Sequence, residues 1–155
     1  MPTRSTTAET PTSVRDNPRI ILFDGVCNLC ASTLTFVYEN DVRSLYKFAW
    51  VQSRVGKEIL RWCGLPENRF DTMVTIESGK VYYKSTAFLR VTRNLKFPWP
   101  ILSLGLFIPL FIRDGSYDWL ASRRYRFFGR KKVCLLPEGP IGERFLPGEV
   151  PSDNY

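Results

Sequence analysis

Residues 19–30 read RIILFDGVCNLC, and this stretch decides the expected fold. Its opening, Arg19–Phe23, is a short apolar run, and Asp24-Gly25 follows as a turn signal, so we predict a buried β-strand. A helix is predicted after the turn and ends at Asn40-Asp41. Its inward face carries side chains at a spacing of three and four residues: Cys27, Cys30, Leu34 and Val37. The stretch therefore predicts a strand-to-helix unit with two thiols on one helix face.

A second strand and helix are predicted next. Residues 46–50 alternate in the manner of a strand, and Ser53 is expected to cap a helix that Gly64 and Pro66 end. The inward side chains of that helix are Val55, Ile59 and Trp62. The first half of the chain is thus expected to repeat one βα unit.

A hairpin and a third helix follow. Residues 72–76 and 80–83 are rich in β-formers, and Glu77-Ser78-Gly79 between them is a hairpin signal in which glycine supplies the positive φ. Ser85 or Thr86 is expected to cap a helix that runs through Leu95, with Phe88 and Val91 on its inward face. The predicted order is βαβαββα around a mixed four-stranded sheet, an α/β class with an added C-terminal helical segment.

The added segment begins with sixteen uncharged residues, 97–112. Pro98, Pro100 and Pro109 interrupt it, whereas a membrane-spanning helix needs about twenty apolar residues. We therefore expect a buried helix packed on the sheet and not a membrane contact.

A basic helix is predicted over residues 117–128. Residues 113–132 hold seven Lys and Arg against two Asp, a balance that phosphate backbones or anionic lipid headgroups attract. The helical spacing favours a simpler interpretation. Tyr117, Leu120 and Phe128 are expected to point inward, and Trp119, Arg123, Arg126 and Arg130 to lie along another face. The simpler interpretation is that this is a solvated helix face and that the interleaved aromatics turn into the core: Trp119, Tyr125, Phe127 and Phe128.

The composition excludes several kinds of catalytic and metal site. The 155 residues suit one ordinary domain, and the absence of histidine excludes Ser-His-Asp triads, Cys-His protease pairs and His-ligated zinc. Four cysteines are too few for a disulfide scaffold, which favours a reducing, cytoplasmic location. We expect residues 1–18 to be a disordered tail, 19–137 the folded domain, and 138–155 an extended Pro- and Gly-rich tail.

Cys27 and Cys30 are the candidate catalytic pair. Thiols three residues apart on the first turn of a helix can form a disulfide of normal geometry. Cys27 at the helix N-terminus is favoured as thiolate and is the expected nucleophile, while Cys30, one turn inside, is the expected resolving thiol. Asp24 either accepts a proton from a thiol or bonds the backbone of the turn.

The chain resembles the DCC family of predicted thiol-disulfide oxidoreductases, named after an Asp and two Cys that match Asp24, Cys27 and Cys30. The resemblance runs from Ile20 to Pro137 and also includes Gln52-Ser53, Asp71-Thr72, Ser85 with Ala87, Arg113-Asp114, Tyr117 and residues 123–130 ahead of Cys134. It implies a thioredoxin-like fold and disulfide reductase chemistry. Thioredoxins carry a cis-proline before the third strand, where this chain has Asp71-Thr72-Met73, so a Thr-Met backbone would have to dock the substrate.

The leading hypothesis is therefore a protein-disulfide reductase without metal or organic cofactor. It would act on a disulfide-containing protein or a small-molecule thiol substrate, with the electron donor left open. One alternative is a nucleic-acid or anionic-membrane binding module that uses residues 113–132. Another is a zinc protein held by all four cysteines, including Cys63 and Cys134, although burial is the simpler expectation for those two.

Overall fold

The computed structural model describes residues 10–24, 28–66, 73–129 and 139–146. The strands are β1 (Arg19–Phe23), β2 (Lys47–Trp50), β3 (Val74–Glu77) and β4 (Lys80–Tyr83). The α-helices are α1 (Thr12–Asp16), α2 (Asn28–Asn40), α3 (Arg54–Cys63), α4 (Lys84–Arg93) and α5 (Leu110–Phe128). Two 3₁₀ helices span Trp99–Phe107 and Gly139–Arg144.

The four strands form one mixed sheet in the order β2-β1-β3-β4. β1 runs parallel to β2 and antiparallel to β3, and β3 pairs with β4 as a hairpin. β1 lies between β2 and β3. Four of its five residues are buried because both faces of the sheet are covered at this strand. The predicted α/β class and the thioredoxin-like βαβαββα order are confirmed.

Two hydrophobic clusters cover the two faces of the sheet. Side chains alternate across a strand, so Ile20 and Leu22 of β1 pack with Ile59 and Trp62 of α3. Ile21 and Phe23 pack on the other face with α2, whose Leu34 and Val37 are buried, and with Val91 of α4. Both faces are therefore covered mainly by α2, α3 and α4, and Leu146 and Phe145 join the two clusters from the C-terminal part of the chain.

The predicted serine cap and glycine end of α3 are confirmed. The Ser53 hydroxyl accepts a hydrogen bond from the Gly56 N–H at 2.9 Å, and Gly64 ends the helix in the left-handed conformation with φ 70°. A Cβ on Gly56 would lie 1.9 Å from the carbonyl oxygen of Trp50, so only glycine allows α3 to approach β2 this closely.

The turn of the hairpin has two residues, Ser78 and Gly79, with φ of 50° and 77°. Two positive φ angles match the right-handed twist of the paired strands. The hairpin prediction is confirmed, and Ser78 shares the conformation expected of glycine alone.

The predicted start and end of the third helix are wrong. α4 begins at Lys84, after Tyr83, and ends at Arg93. The hydroxyl of Ser85 donates to Asp114 instead of capping α4, and the hydroxyl of Thr86 accepts from the Arg113 guanidinium at 2.8 Å. Both hydroxyls lie on the side of α4 that faces α5, and they attach the two helices to each other.

Residues 97–112 do not form the predicted buried helix on the sheet. Trp99–Phe107 is a 3₁₀ helix without a buried residue, and α5 starts at Leu110. Its anchors are the Trp99 indole, which donates to the Asn40 side chain at 2.9 Å, and Gly105, which leaves room for Leu89 of α4. The segment lies outside because both faces of the sheet are already covered, and proline disfavours a regular α-helix there.

Parts of both predicted tails are ordered. Val14 of α1 is buried in the cluster that contains Trp62. Near the other end, Phe145 and Leu146 are buried, and the Leu146 N–H donates to the carbonyl of Phe48 at 3.0 Å. Residues 139–146 are therefore not the expected extended tail, since apolar side chains dock there beside β2. Residues 1–9 and 147–155 lie outside the described part.

In the described part of the chain, no helix is long and apolar enough to cross a membrane.

Candidate active site

The carboxyl end of β1 and the start of α2 bring two of the three predicted site residues together. Asp24 directly follows β1, and Cys30 is the third residue of α2, which begins at Asn28. Both side chains line one pocket. Cys27, the predicted nucleophile, lies in 25–27, outside the described residues.

The pocket has a volume of about 220 Å³ and is mainly apolar. Its walls come from β1, α2, α4, α5 and the residue before β3, so it lies where the sheet edge meets the added helix. Besides Asp24 and Cys30, the lining residues are Leu22, Phe23, Leu29, Thr33, Met73, Phe88, Tyr117, Leu120 and Ala121. The predicted inward positions Phe88, Tyr117 and Leu120 thus face this pocket, although none of them is fully buried.

Asp24 is 4% exposed and is held by a distant side chain. Its Oδ1 accepts a hydrogen bond of 2.7 Å from the amide nitrogen of Gln52. Gln52 follows β2, and the Val51 N–H donates to the Phe23 carbonyl at 2.9 Å, which brings the ends of these parallel strands together. A buried carboxylate needs such donors, so Gln52 orients Asp24 towards the pocket.

Gln52 is the residue that sequence reasoning missed. In the sequence Gln52 stands out only as one match within the family resemblance, and no role follows from that match. The signal that could have found it is positional: polar residues directly after neighbouring parallel strands meet at the same edge of a sheet.

α5 closes the pocket through Tyr117. The Tyr117 hydroxyl accepts a hydrogen bond from the Met73 N–H at 2.8 Å, and the Met73 carbonyl accepts from the Lys84 N–H at 3.0 Å. Both backbone groups of Met73 are thus used inside the chain. The expected docking of a substrate on a Thr-Met backbone stays a prediction, and Thr72 lies outside the described residues.

Three polar pairs hold α5 against α4. They are Ser85 with Asp114, Thr86 with Arg113, and the ion pair of Lys84 with Asp118 at 2.8 Å. These contacts give a structural reason for the positions Ser85, Arg113 and Asp114 in the resemblance: they attach the helix that covers the pocket.

Cys30 and Cys63 lie on opposite faces of the sheet. Cys30 is half-buried against the cluster of Ile21 and Phe23, whereas Cys63 is buried in the cluster of Ile20 and Leu22. Burial raises the pKa of the Cys63 thiol to about 12, which keeps it protonated and unreactive at neutral pH. One zinc ion cannot reach both sulfurs across the sheet, so the alternative of a four-cysteine zinc site is wrong.

Among residues 10–24, 28–66, 73–129 and 139–146, no cluster of three or more Cys, Asp or Glu side chains has metal-binding geometry. Cys134 lies outside these ranges.

Comparison with known proteins gives one family. The DCC1-like thiol-disulfide oxidoreductase family matches residues 21–130. The uncharacterized protein YuxK of Bacillus subtilis (strain 168) is 45% identical over 129 residues, which cover 83% of this chain and 94% of that protein. The DCC family protein At1g52590, chloroplastic, of Arabidopsis thaliana is 38% identical over 122 residues, 78% of this chain and 71% of that protein. No solved structure matches.

Proposed function

The chain belongs to the DCC1-like thiol-disulfide oxidoreductase family, and on that premise we propose that it reduces disulfides with the pair Cys27 and Cys30. The observation that carries this proposal is the pocket at the carboxyl end of β1, which both Cys30 and the buried carboxylate of Asp24 line. A thiol and a proton acceptor in one small pocket are the parts that thiol-disulfide exchange requires.

The reaction has two exchange steps. In the first, the Cys27 thiolate attacks one sulfur of the substrate disulfide, whose S–S bond breaks, and the departing sulfur leaves as a thiolate that takes up a proton. In the second, the Cys30 sulfur loses its proton and attacks Cys27, which releases the other substrate sulfur as a thiol. The two electrons pass from the cysteine pair to the substrate, and the pair becomes a disulfide.

The position of Cys30 supports the resolving role. Its side chain is half-buried against Phe23 and Leu34 of the core, and a macromolecular substrate would meet the helix end before it met this sulfur. Cys30 needs to reach only Cys27, three residues before it, and that spacing on a helix permits a disulfide.

Asp24 is proposed as the proton acceptor for the second step. Its carboxylate lines the same pocket as Cys30, and the hydrogen bond from Gln52 keeps one oxygen engaged and the group oriented. The apolar walls exclude most water from the pocket, so a carboxylate is the local base that can take the thiol proton.

The return of the pair to the dithiol needs an electron donor of the thiol class. The substrate is a disulfide-containing protein or a small-molecule disulfide, since exchange with either uses the same two steps.

Mass spectrometry of the alkylated protein tests the proposal directly. Protein treated with oxidised glutathione should lose two hydrogens at the peptides of Cys27 and Cys30, and dithiothreitol should restore them. Metal analysis of the same sample is the control. An oxidised sample with both thiols still alkylated, or stoichiometric zinc bound at these cysteines, would contradict the proposal.

A further inference from the structure

The added segment exposes several large apolar side chains. Three of them, Ile101, Leu104 and Phe107, follow the three-residue repeat of the 3₁₀ helix and so lie on one of its faces. We define the apolar face by six exposed side chains: Phe97, Ile101, Leu104, Phe107, Phe111 and Ile112. Phe107 is 87% exposed and Phe111 77%. Isolated exposed apolar residues are common on proteins, but a contiguous group of large ones marks a surface that binds something.

The basic half of α5 extends this face with aromatic and cationic groups. Trp119 and Phe127 are 53% and 60% exposed, with ring centres 6.2 Å apart, and the Arg123 guanidinium lies 4.8 Å from the Trp119 ring. The expectation that these aromatics turn into the core is therefore wrong for Trp119 and Phe127. A shallow groove lined by Phe111, Ile112 and Trp119 joins the two parts of the surface.

Exposed cations flank the apolar face in the sequence: Arg93 and Lys96 lie before it, and Arg123 and Arg126 lie after it. Residues 84–129 hold eight Lys and Arg against two Asp, and one of these cations, Arg90, pairs with Glu77 of β3 at 3.0 Å. Asp118 is paired with Lys84, and Asp114 accepts the hydrogen bond from Ser85. Residues 97–112 contain no charged side chain, so the cations at the border of the face meet no acidic group within that segment.

This charge argues against a second copy of the chain as the occupant. Two copies that met through the apolar face would bring the exposed arginines of both copies, Arg123 and Arg126, near one interface, and like charges in an interface are repelled. An anionic surface with an apolar interior complements both properties at once.

We propose that the apolar face inserts into the surface of an anionic lipid bilayer, with Arg123 and its neighbouring cations at the level of the headgroups. The phenylalanines would enter the acyl boundary, and Trp119 would take the interfacial position that indole rings favour. The contact is peripheral, because the apolar residues lie on a 3₁₀ helix and the first turn of α5 instead of one spanning helix. This inference does not depend on the redox chemistry of Cys27 and Cys30.

Flotation with lipid vesicles tests the proposal. The protein should float with vesicles of phosphatidylcholine and phosphatidylglycerol, float much less with phosphatidylcholine alone, and detach in part as salt rises and screens the charges. Phe107→Glu should lower the partition coefficient about tenfold or more, because a large apolar side chain is lost and a like-charged group is added. Phe107 is exposed, so circular dichroism should show an unchanged fold.

A matched pair of arginine variants isolates the contribution of charge. Arg123→Gln should weaken binding to anionic vesicles about fivefold. Arg54→Gln removes the same charge from the exposed start of α3, on the opposite face of the sheet, and should bind as the unmodified protein does.

Three results would overturn the proposal. The first is a folded protein that does not float with anionic vesicles. The second is equal flotation of Phe107→Glu and the unmodified protein. The third is a dimer in analytical ultracentrifugation that Phe107→Glu converts to a monomer, which would identify a second copy as the occupant.

Discussion

Asp24 is a buried residue whose contacts bear on its proposed role in the chemistry. The sequence left two roles open, a proton acceptor or a bond to the local turn. In the structure its Oδ1 accepts a hydrogen bond from Gln52, 28 residues away just after the neighbouring strand, so the carboxylate does more than fix its own turn. The same carboxylate faces the pocket of Cys30.

The two roles of Asp24 are separated by pH. Asp24→Asn retains an oxygen that accepts the Gln52 hydrogen bond, so the fold should be kept while the proton acceptor is lost. We expect disulfide exchange to slow about 10²-fold at pH 7. Activity should recover in part as pH rises towards about 8.5, the ordinary pKa of a cysteine thiol, because hydroxide then replaces the carboxylate. A pH profile of the variant that superimposes on that of the unmodified protein would leave Asp24 with a structural role only.

The two cysteines are expected to fail in different ways. Cys27→Ser should abolish reduction of a disulfide substrate, because the attacking sulfur is gone. Cys30→Ser should still attack and should accumulate a mixed disulfide with the substrate, since no thiol releases it. Non-reducing gels and intact mass spectrometry distinguish the two outcomes. Trapping by neither variant, or equal trapping by both, would contradict the assigned order of attack.

Cys63 serves as an internal reference for reactivity. Since burial raises its pKa to about 12, the thiol is protonated at pH 8 and its reactivity should rise only as the solution becomes strongly alkaline. Iodoacetamide at pH 8 should leave Cys63 unlabelled in the native protein and label it fully in urea. Rapid native labelling of Cys63 would show that this helix end opens readily.

At the scale of elements, α5 supplies one wall of the pocket at the carboxyl end of β1. It is attached by polar contacts to α4 and by the Tyr117 hydroxyl to the backbone next to β3. These partners are 27 to 44 residues apart in the sequence. The covering of the site thus depends on a few directional bonds more than on burial of α5 itself.

Tyr117→Phe tests that attachment. The change removes only the oxygen that accepts the Met73 N–H, and a donor left without its acceptor in a partly buried position costs about 1–3 kcal/mol. We expect lower stability in urea and faster hydrogen exchange at the Met73 amide. Tyr82→Phe is the matched control: its ring stays under the Arg90 guanidinium, 4.0 Å from the ring centre, and stability should change by less than about 0.5 kcal/mol. Equal effects of the two variants would count against the role of Tyr117.

At the scale of the whole molecule, residues 139–146 complete the core from the far end of the chain. The Phe145 ring lies 5.7 Å from Phe48 and 5.0 Å from Trp50, centre to centre. The guanidinium of Arg144 donates to the buried carboxylate of Asp41 and to the Tyr46 carbonyl. This proline- and glycine-rich segment is therefore attached to the core by the apolar side chain of Phe145 and the charged side chain of Arg144.

A pair of identical substitutions compares this anchor with the apolar face. Phe145→Ala should lower the free energy of unfolding by about 3–5 kcal/mol, because a buried aromatic side chain leaves a cavity. Phe107→Ala should change it by less than about 0.5 kcal/mol, since Phe107 is exposed. Chemical denaturation of both variants gives the comparison. A mild effect of Phe145→Ala would mean that residues 139–146 are dispensable for the core.

The sequence alone determined the elements whose signals are local. β1 was predicted from five consecutive residues, α3 from a serine cap and a terminal glycine within twelve, and the hairpin from its turn. Each rests on periodicity, capping or positive φ, which act over a few residues and depend little on the rest of the chain. The thiol pair remains a prediction of the same local kind, from the spacing of three between Cys27 and Cys30 in the sequence.

The tertiary structure alone decided which surfaces are covered and which polar groups meet. The bond of Asp24 with Gln52 spans 28 residues, that of Met73 with Tyr117 spans 44, and that of Asp41 with Arg144 spans 103. An apolar run such as 97–112 carries the same sequence signal whether it is buried or exposed. It lies outside because α2, α3, α4 and the docked residues Phe145 and Leu146 already cover both faces of the sheet, and competition for a limited area of core is a property of the folded chain as a whole.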